Sequence, residues 1–163
     1  VEQYMLAALD ASNLLSIKET ELPDGIARLQ QEKKELGERL TECTGKLLEY
    51  RIEEMKAHPA TTEAGHAKFV FLESDMTPKE AKALAKRLGE IPEAFSAIFY
   101  QNGERLNYMF LATDGAAVNC QQLIRTVNEA FGGRGGGRPE LCQGSAICPA
   151  DWREKAEALM SAL

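Results

Sequence analysis

Phe131-Gly132-Gly133-Arg134-Gly135-Gly136-Gly137-Arg138-Pro139 holds five of the 13 glycines of this 163-residue chain. The run follows directly on an apolar helical pattern. Glycine adopts positive φ without steric cost and lets another backbone or a ligand come close. A glycine run at a helix end can therefore turn successive N–H groups outward as a nest for an anion such as phosphate. Arg134 and Arg138 add two guanidiniums whose fork matches phosphate oxygens. The same residues also read as a flexible connection between a helix and a strand. The segments on either side supply the context.

Upstream, Leu123, Ile124, Val127, Ala130 and Phe131 form the apolar face of a helix starting near Asn119, and Arg125 lies on it two turns before the glycines. Residues 95–100 and 106–112 are β-rich runs separated by Gln101-Asn102-Gly103-Glu104, which predicts a hairpin around an Asn-Gly turn. Residues 67–72 form a compact apolar run that fits a mostly buried strand. Thr77-Pro78-Lys79-Glu80 is a capping-box start, and Ala81, Leu84, Ala85 and Leu88 form the inward stripe of the helix it opens. Downstream of the glycines come a strand near residues 141–146 and a helix opened by Pro149-Ala150-Asp151. Trp152, Ala156, Leu159 and Met160 line the apolar side of that helix. The order β-α-β-β-α, glycine run, strand, helix predicts an α+β domain with helices packed on a small mixed sheet.

The first third of the chain follows a different period. Residues 3–15 are loosely helical, and residues 23–57 strongly so, with Pro23 in the first turn. With Ile26 as an a position, the a series is Ile26, Lys33, Leu40, Leu47, Glu54 and the d series is Leu29, Leu36, Cys43, Tyr50, Ala57. A mostly apolar seam over about five heptads fits a helical hairpin or coiled coil. Glu35–Arg39 and Glu42–Lys46 stand in the favourable i,i+4 order. Such a helix spans ~50 Å, longer than a small domain uses internally. Ile26, Leu29, Leu36, Leu40, Leu47 and Tyr50 are therefore the candidate dimerisation residues. His58-Pro59 breaks the pattern, so the expected division is 1–58 helical, 59–66 linker and 67–163 α+β domain.

Bulk properties limit the function classes. The apolar content is 44%, the charged content 27% and the net charge −6, with an isoelectric point near 5.1. A free-standing nucleic-acid binder is usually basic, so sequence-independent binding by the whole surface is disfavoured and a local basic patch remains open. Cys43, Cys120, Cys142 and Cys148 form no C-x-x-C pair and match no common zinc spacing, which predicts reduced thiols and no metal site. No apolar run reaches the ~20 residues of a membrane span. The chain begins at Val1 rather than Met, which suggests a piece of a longer protein, with a processed N-terminus as the alternative.

Gly132-Gly133-Arg134-Gly135-Gly136-Gly137-Arg138-Pro139-Glu140-Leu141-Cys142-Gln143-Gly144 closely resembles the C-terminal signature of alanyl-tRNA synthetases and free-standing alanyl-tRNA editing proteins of the AlaX type. That signature reads G-G-K/R-G-G-G-x-P followed by a small residue, Gln and Gly. The domain carrying it is called DHH-associated because a related one follows the catalytic domain of DHH-type phosphoesterases. The order of elements, and the phrase Glu21-Leu22-Pro23 at the start of the long helix, are also similar. Cys142 stands where the family usually has Ala, a size-tolerant change. The His-x-x-x-His and Cys-x-x-x-His pairs of the editing zinc site, an aminoacylation core, and the manganese-binding clusters of DHH enzymes are all missing.

The resemblance implies a non-catalytic, cytoplasmic region with no cofactor of its own, whose parent enzyme, an alanyl-tRNA editing protein first and the synthetase close behind, carries its chemistry, and any editing zinc, upstream. It implies two roles: binding alanine-type tRNA and forming a homodimer through the helices. The binding residues it points to are Gly132, Gly133, Arg134, Gly135, Gly136, Gly137 and Arg138, with Gln143 on a ribose or base edge and Arg125 as a helper. Two alternatives follow. One is a dimerisation scaffold with little RNA affinity, favoured by the net charge and the heptads. The other is the substrate-binding domain of a DHH-type phosphoesterase, a branch that carries a His soon after the glycines where Arg138-Pro139 stands here.

Overall fold

The computed structural model describes every residue, Val1–Leu163. The chain divides into two compact units, Val1–Tyr50 and Arg51–Leu163. No helix is long and apolar enough to cross a membrane.

The first unit contains α1 (Glu2–Leu15), a 3-10 turn (Glu19–Glu21) and most of α2 (Leu22–Ala57). Ser16 ends α1 in the left-handed conformation, φ 54°, and its N–H bonds the Asn13 carbonyl at 3.2 Å. Ser12 is buried in this corner, with its Oγ donating to the Leu9 carbonyl at 2.8 Å. Gly25, in the first turns of α2, lies against the tip of the Ile17 side chain. Along α2, Lys46 Nζ pairs with Glu42 at 2.6 Å as the spacing implies, while Glu35 accepts from Gln31 Nε2 at 2.8 Å. The seam residues Ile26, Leu29, Leu36, Leu40, Leu47 and Tyr50 stay open, between 46% and 71% exposed. Tyr4, Met5, Leu6, Leu9 and Leu14 of α1 are exposed as well.

The second unit starts earlier than residue 59. Arg51, on the last turns of α2, pairs with Glu73 at 2.6 Å and lies 5.1 Å from the centre of the Phe71 ring, and Ile52 is buried. These contacts tie residues 51–57 to the sheet, so the structural division falls between Tyr50 and Arg51. The stretch expected as a linker is ordered at both ends. It contains β1 (Ala60–Thr61), paired antiparallel with β2, and Glu63 N–H donates to an oxygen of Leu163 at 2.6 Å.

The remaining elements are β2 (Ala67–Glu73), α3 (Pro78–Leu88), β3 (Ala94–Asn102), β4 (Arg105–Ala112), α4 (Cys120–Phe131), β5 (Arg134–Arg138), β6 (Leu141–Ile147) and α5 (Trp152–Ser161). They form one six-stranded mixed sheet of order β1-β2-β3-β4-β6-β5. Only β2 and β3 pair in parallel, and α3 is the crossover between them. Thr77 and Glu80 form the expected capping box on α3. The β3–β4 hairpin turns at Gly103-Glu104 rather than Asn102-Gly103, since Asn102 still pairs with Arg105 and Gly103 takes φ 60°. Glycine at the first central position matches the twist of a two-residue hairpin.

Alternation along the strands assigns the two faces. On one, Phe95, Ala97 and Phe99 of β3, Leu106, Tyr108 and Phe110 of β4, and Cys142 and Ala146 of β6 meet α4 and α5. The rings of Phe99, Tyr108, Phe110 and Phe131 pack together there, with Phe99 and Phe110 edge-to-face at 5.5 Å. On the other face α3 lays Ala81, Leu84, Ala85 and Leu88 over β3 and β4, leaving β6 and β5 without a helix above them.

Candidate functional site

The glycine run is a strand, not a loop. Gly132 ends α4 in the left-handed conformation, φ 62°, and Gly133 N–H bonds the Asn128 carbonyl at 2.8 Å. Arg134–Arg138 then form β5, an exposed edge strand paired antiparallel with β6 from Arg134↔Ser145 to Arg138↔Leu141. The expected nest of outward N–H groups is therefore replaced by an extended ladder. Most of the glycines are there because the neighbours leave no room. A Cβ on Gly133 would strike the Tyr108 hydroxyl, and one on Gly135 the backbone of Gln143 and Gly144. One on Gly137 would meet the Leu141 carbonyl. Gly144, opposite, is held against the Tyr108 ring in the same way. Glycine is the residue that permits such close backbone approach.

Gly136 is the exception. A Cβ there would have nothing within 4 Å, and its φ lies outside the left-handed region. Packing does not demand glycine at this position. The space in front of Gly136 is a groove of ≈ 780 Å³ on the uncovered part of the α3 face. Met109, Leu111 and Leu141 make its apolar floor, and Gly136, Gly137 and Gln143 its β5–β6 side. Lys82 and Lys86 from α3 and Arg138 from β5 stand around it as cations, with Glu90 as the single carboxylate. A smaller hollow of ≈ 270 Å³ adjoins it, sharing Met109 and Gln143 and bounded by Arg134, Asn107 and Ser145. Arg134, Gly136 and Arg138 alternate onto one face, so the two guanidiniums stand on the groove side of the strand, about 13 Å apart along it.

Several hydrogen bonds hold this surface in place from behind. Asn128 on α4 donates its Nδ2–H to the Gly135 carbonyl at 3.2 Å and accepts from the Tyr108 hydroxyl through Oδ1. Gln121, about two helix turns earlier, donates its Nε2–H to the Gly137 carbonyl at 2.8 Å. Asn119 caps α4, accepting from Gln121 N–H at 2.9 Å. On the groove side itself, Arg105 donates to Ser145 Oγ at 2.7 Å. Burial pushes the Tyr108 hydroxyl up from its ordinary value, with Arg105 pulling it partly back, so it remains a proton donor to Asn128.

Of the residues singled out in the sequence, Gly136, Gly137, Arg138 and Gln143 line the groove and Arg134 lines the hollow beside it. Gly132, Gly133 and Gly135 do not; they shape the strand. Arg125 is not brought to this site, because α4 packs on the opposite face of the sheet. Lys82, Lys86, Met109, Leu111 and Leu141 escaped the sequence reading. The lysines carried a signal, standing four apart beside the inward stripe of α3. No three His, Cys, Asp or Glu side chains gather where they could hold a metal ion.

Residues 65–162 match the DHHA1 domain model. Over its whole length the chain is 28% identical to an alanine–tRNA ligase of Corynebacterium jeikeium, of which it covers 20%. Over 84% of its length it is 26% identical to an alanine–tRNA ligase of Methanoregula boonei, of which it covers 14%. The chain thus spans a fifth or less of these curated relatives. The C-Ala domain of Aquifex aeolicus alanyl-tRNA synthetase overlaps 59% of this chain and 87% of its own, at 27% identity and a TM-score of 0.48.

Proposed function

The chain belongs to the DHHA1 domain family, and from that premise we propose that it is the tRNA-holding and dimerising region of an alanine–tRNA ligase, working beside catalytic domains that lie elsewhere in the parent. The relatives it matches carry the ligase name, which favours the synthetase over a free-standing editing protein as the parent. The observation that carries the binding role is the groove at Gly136. It is a basic, apolar-floored surface on a chain of net charge −6, kept open by a glycine that packing does not require. Lys82, Lys86, Arg134 and Arg138 contact backbone phosphates, which positions RNA without reading its sequence. Gln143, between groove and hollow, reaches a ribose or base edge.

The dimerising role rests on the exposed heptad seam of α2. In this reading the chain does no chemistry alone, and hydrolysis of mischarged alanine tRNA by the purified chain would overturn that. The test of the binding role is titration with alanine tRNA across a salt series, wild type against Arg134→Ala/Arg138→Ala. Each phosphate contact contributes about 0.7–0.9 to the log–log salt slope, so the double variant loses between one and two units. Wild-type binding that is absent even at low salt sinks the reading and leaves the scaffold alternative.

A further inference from the structure

The open seam of α2 is ordered in a way that selects one arrangement of two chains. We propose that two copies pair antiparallel through residues 26–50 of α2, with Lys33 of each copy facing Cys43 of the other. This rests on the dimerising role above and goes beyond it by fixing direction and register. In an antiparallel coiled coil an a residue shares its layer with a d residue of the opposite helix. Centring the pair on Leu36 and Leu40 places Ile26 against Tyr50, Leu29 against Leu47 and Leu36 against Leu40, so all six exposed apolar residues meet an apolar partner. The remaining layer, Lys33 against Cys43, sets one charge beside a small neutral thiol. The pairing is its own mirror about a two-fold axis, as an isologous dimer requires.

The flanking positions agree. In this register Glu32 of one copy lies beside Lys46 of the other, twice over, and Lys46 retains donors after its bond to Glu42. At the centre Gly37 faces its counterpart on one side of the seam, and neither carries a side chain to keep the helices apart. On the other side Arg39 meets its counterpart at the exposed rim, the one like-charge contact of the arrangement. The parallel alternative is worse at each of these places. It sets Lys33 against Lys33 inside the seam, a charge opposed to itself at an a layer. It also leaves Glu32 opposite Gly37 and Arg39 opposite Thr44, with no charge pairing at all.

Cys43 makes the two arrangements separable by chemistry. It is exposed and free. Parallel chains bring the two Cys43 thiols into one layer, whereas the antiparallel register holds them ten residues, or about 15 Å, apart along the axis, beyond the ~7 Å Cα separation that a disulfide bridges. The experiment uses the full chain in a Cys148→Ser background, oxidised with copper–phenanthroline under air and read on a non-reducing gel. Sedimentation of the reduced protein is run alongside.

The expected result is a dimer by sedimentation that stays non-covalent with Cys43 alone. It becomes at least tenfold more cross-linked with Lys33→Cys and loses that gain in Lys33→Cys/Cys43→Ser. Ready cross-linking of Cys43 alone, or of the Lys33→Cys/Cys43→Ser variant, shows a parallel pair and overturns the proposal while leaving dimerisation intact. A dimer that cross-links in no variant places the interface off the seam and overturns it too. A monomer at every concentration removes the dimerising role itself.

Discussion

Tyr108 and Asn128 are joined across the sheet's core face, the phenol of the central strand β4 donating to the amide oxygen of α4. Since the same amide donates to Gly135, one side chain connects the buried strand to the glycine edge. Asn128→Ala leaves a buried phenol without its acceptor and an edge carbonyl without its donor. The expected cost is about 1–3 kcal/mol in denaturant unfolding, together with faster amide exchange over residues 133–138. Unchanged exchange there would show that β5 is held by its ladder to β6 alone.

Two adjacent glycines give opposite results. Gly135→Ala forces a methyl into the backbone of Gln143 and Gly144, and the variant is expected to lose at least 1 kcal/mol of stability or to detach β5 from the sheet. Gly136→Ala meets nothing, so its stability stays level or rises by up to about 1 kcal/mol, while its tRNA affinity falls because the methyl stands in the groove. Thermal unfolding and titration of both variants check the pair. A Gly136→Ala protein that binds as wild type would remove the groove from the binding surface.

Lys82 and Lys86 are exposed on α3, with their side chains at the groove. The double change to Ala is expected to leave the melting temperature within a degree or two and to lower the salt slope of tRNA binding by between one and two units. Arg125→Ala, on the opposite face, is expected to change neither quantity. Equal losses from Arg125 and from the lysines would mean that RNA contacts both faces.

Alkaline pH weakens the fold through Cys120. Its burial, with Cys142 and Glu140 nearby, pushes the thiol up to about 12 from an ordinary value near 9. A group whose folded value is raised keeps its full stabilisation below the unfolded value and loses it as pH climbs toward the folded one. Stability therefore declines between about pH 9 and pH 12. Cys142, Tyr100 and Tyr108 are shifted by burial in the same direction and add to the slope. In Cys120→Ala the decline is shallower, so the stability gap to wild type narrows as pH rises. Parallel curves for the two proteins over that window would exclude Cys120 as a contributor.

How much of this was legible depended on whether the signal resided in side chains. The capping box at Thr77 and Glu80, the inward stripe of α3, the Asn119 start of α4 and the strands around Phe99 and Tyr108 all carry period and punctuation, and each appears where the sequence places it. Arg134–Arg138 has almost no side chains to alternate, so nothing local marks it as a strand; Tyr108, distant in sequence, and Gly144 on the neighbouring strand do so by leaving no room for anything but an extended glycine chain. For the same reason Gly135 and Gly136 are indistinguishable as letters and differ only in what stands opposite them. Arg125 is close to the glycines along the chain, whereas the alternation of β4 puts its helix on the other face. The exposed heptad seam of α2 was readable because it was written in Leu, Ile and Tyr.

The last strand of a sheet is also its most adhesive part, since unpaired carbonyls and amides there can template another chain. β5 occupies that position, is fully exposed and has no bulky side chain over its three central residues to obstruct a visitor. Gln121 and Asn128 reach over from α4 and already occupy the carbonyls of Gly137 and Gly135. Charged Arg134 and Arg138 close the two ends. The two amides thus deny the carbonyls of a bare strand to any second chain, and losing them would leave that edge open to strand pairing.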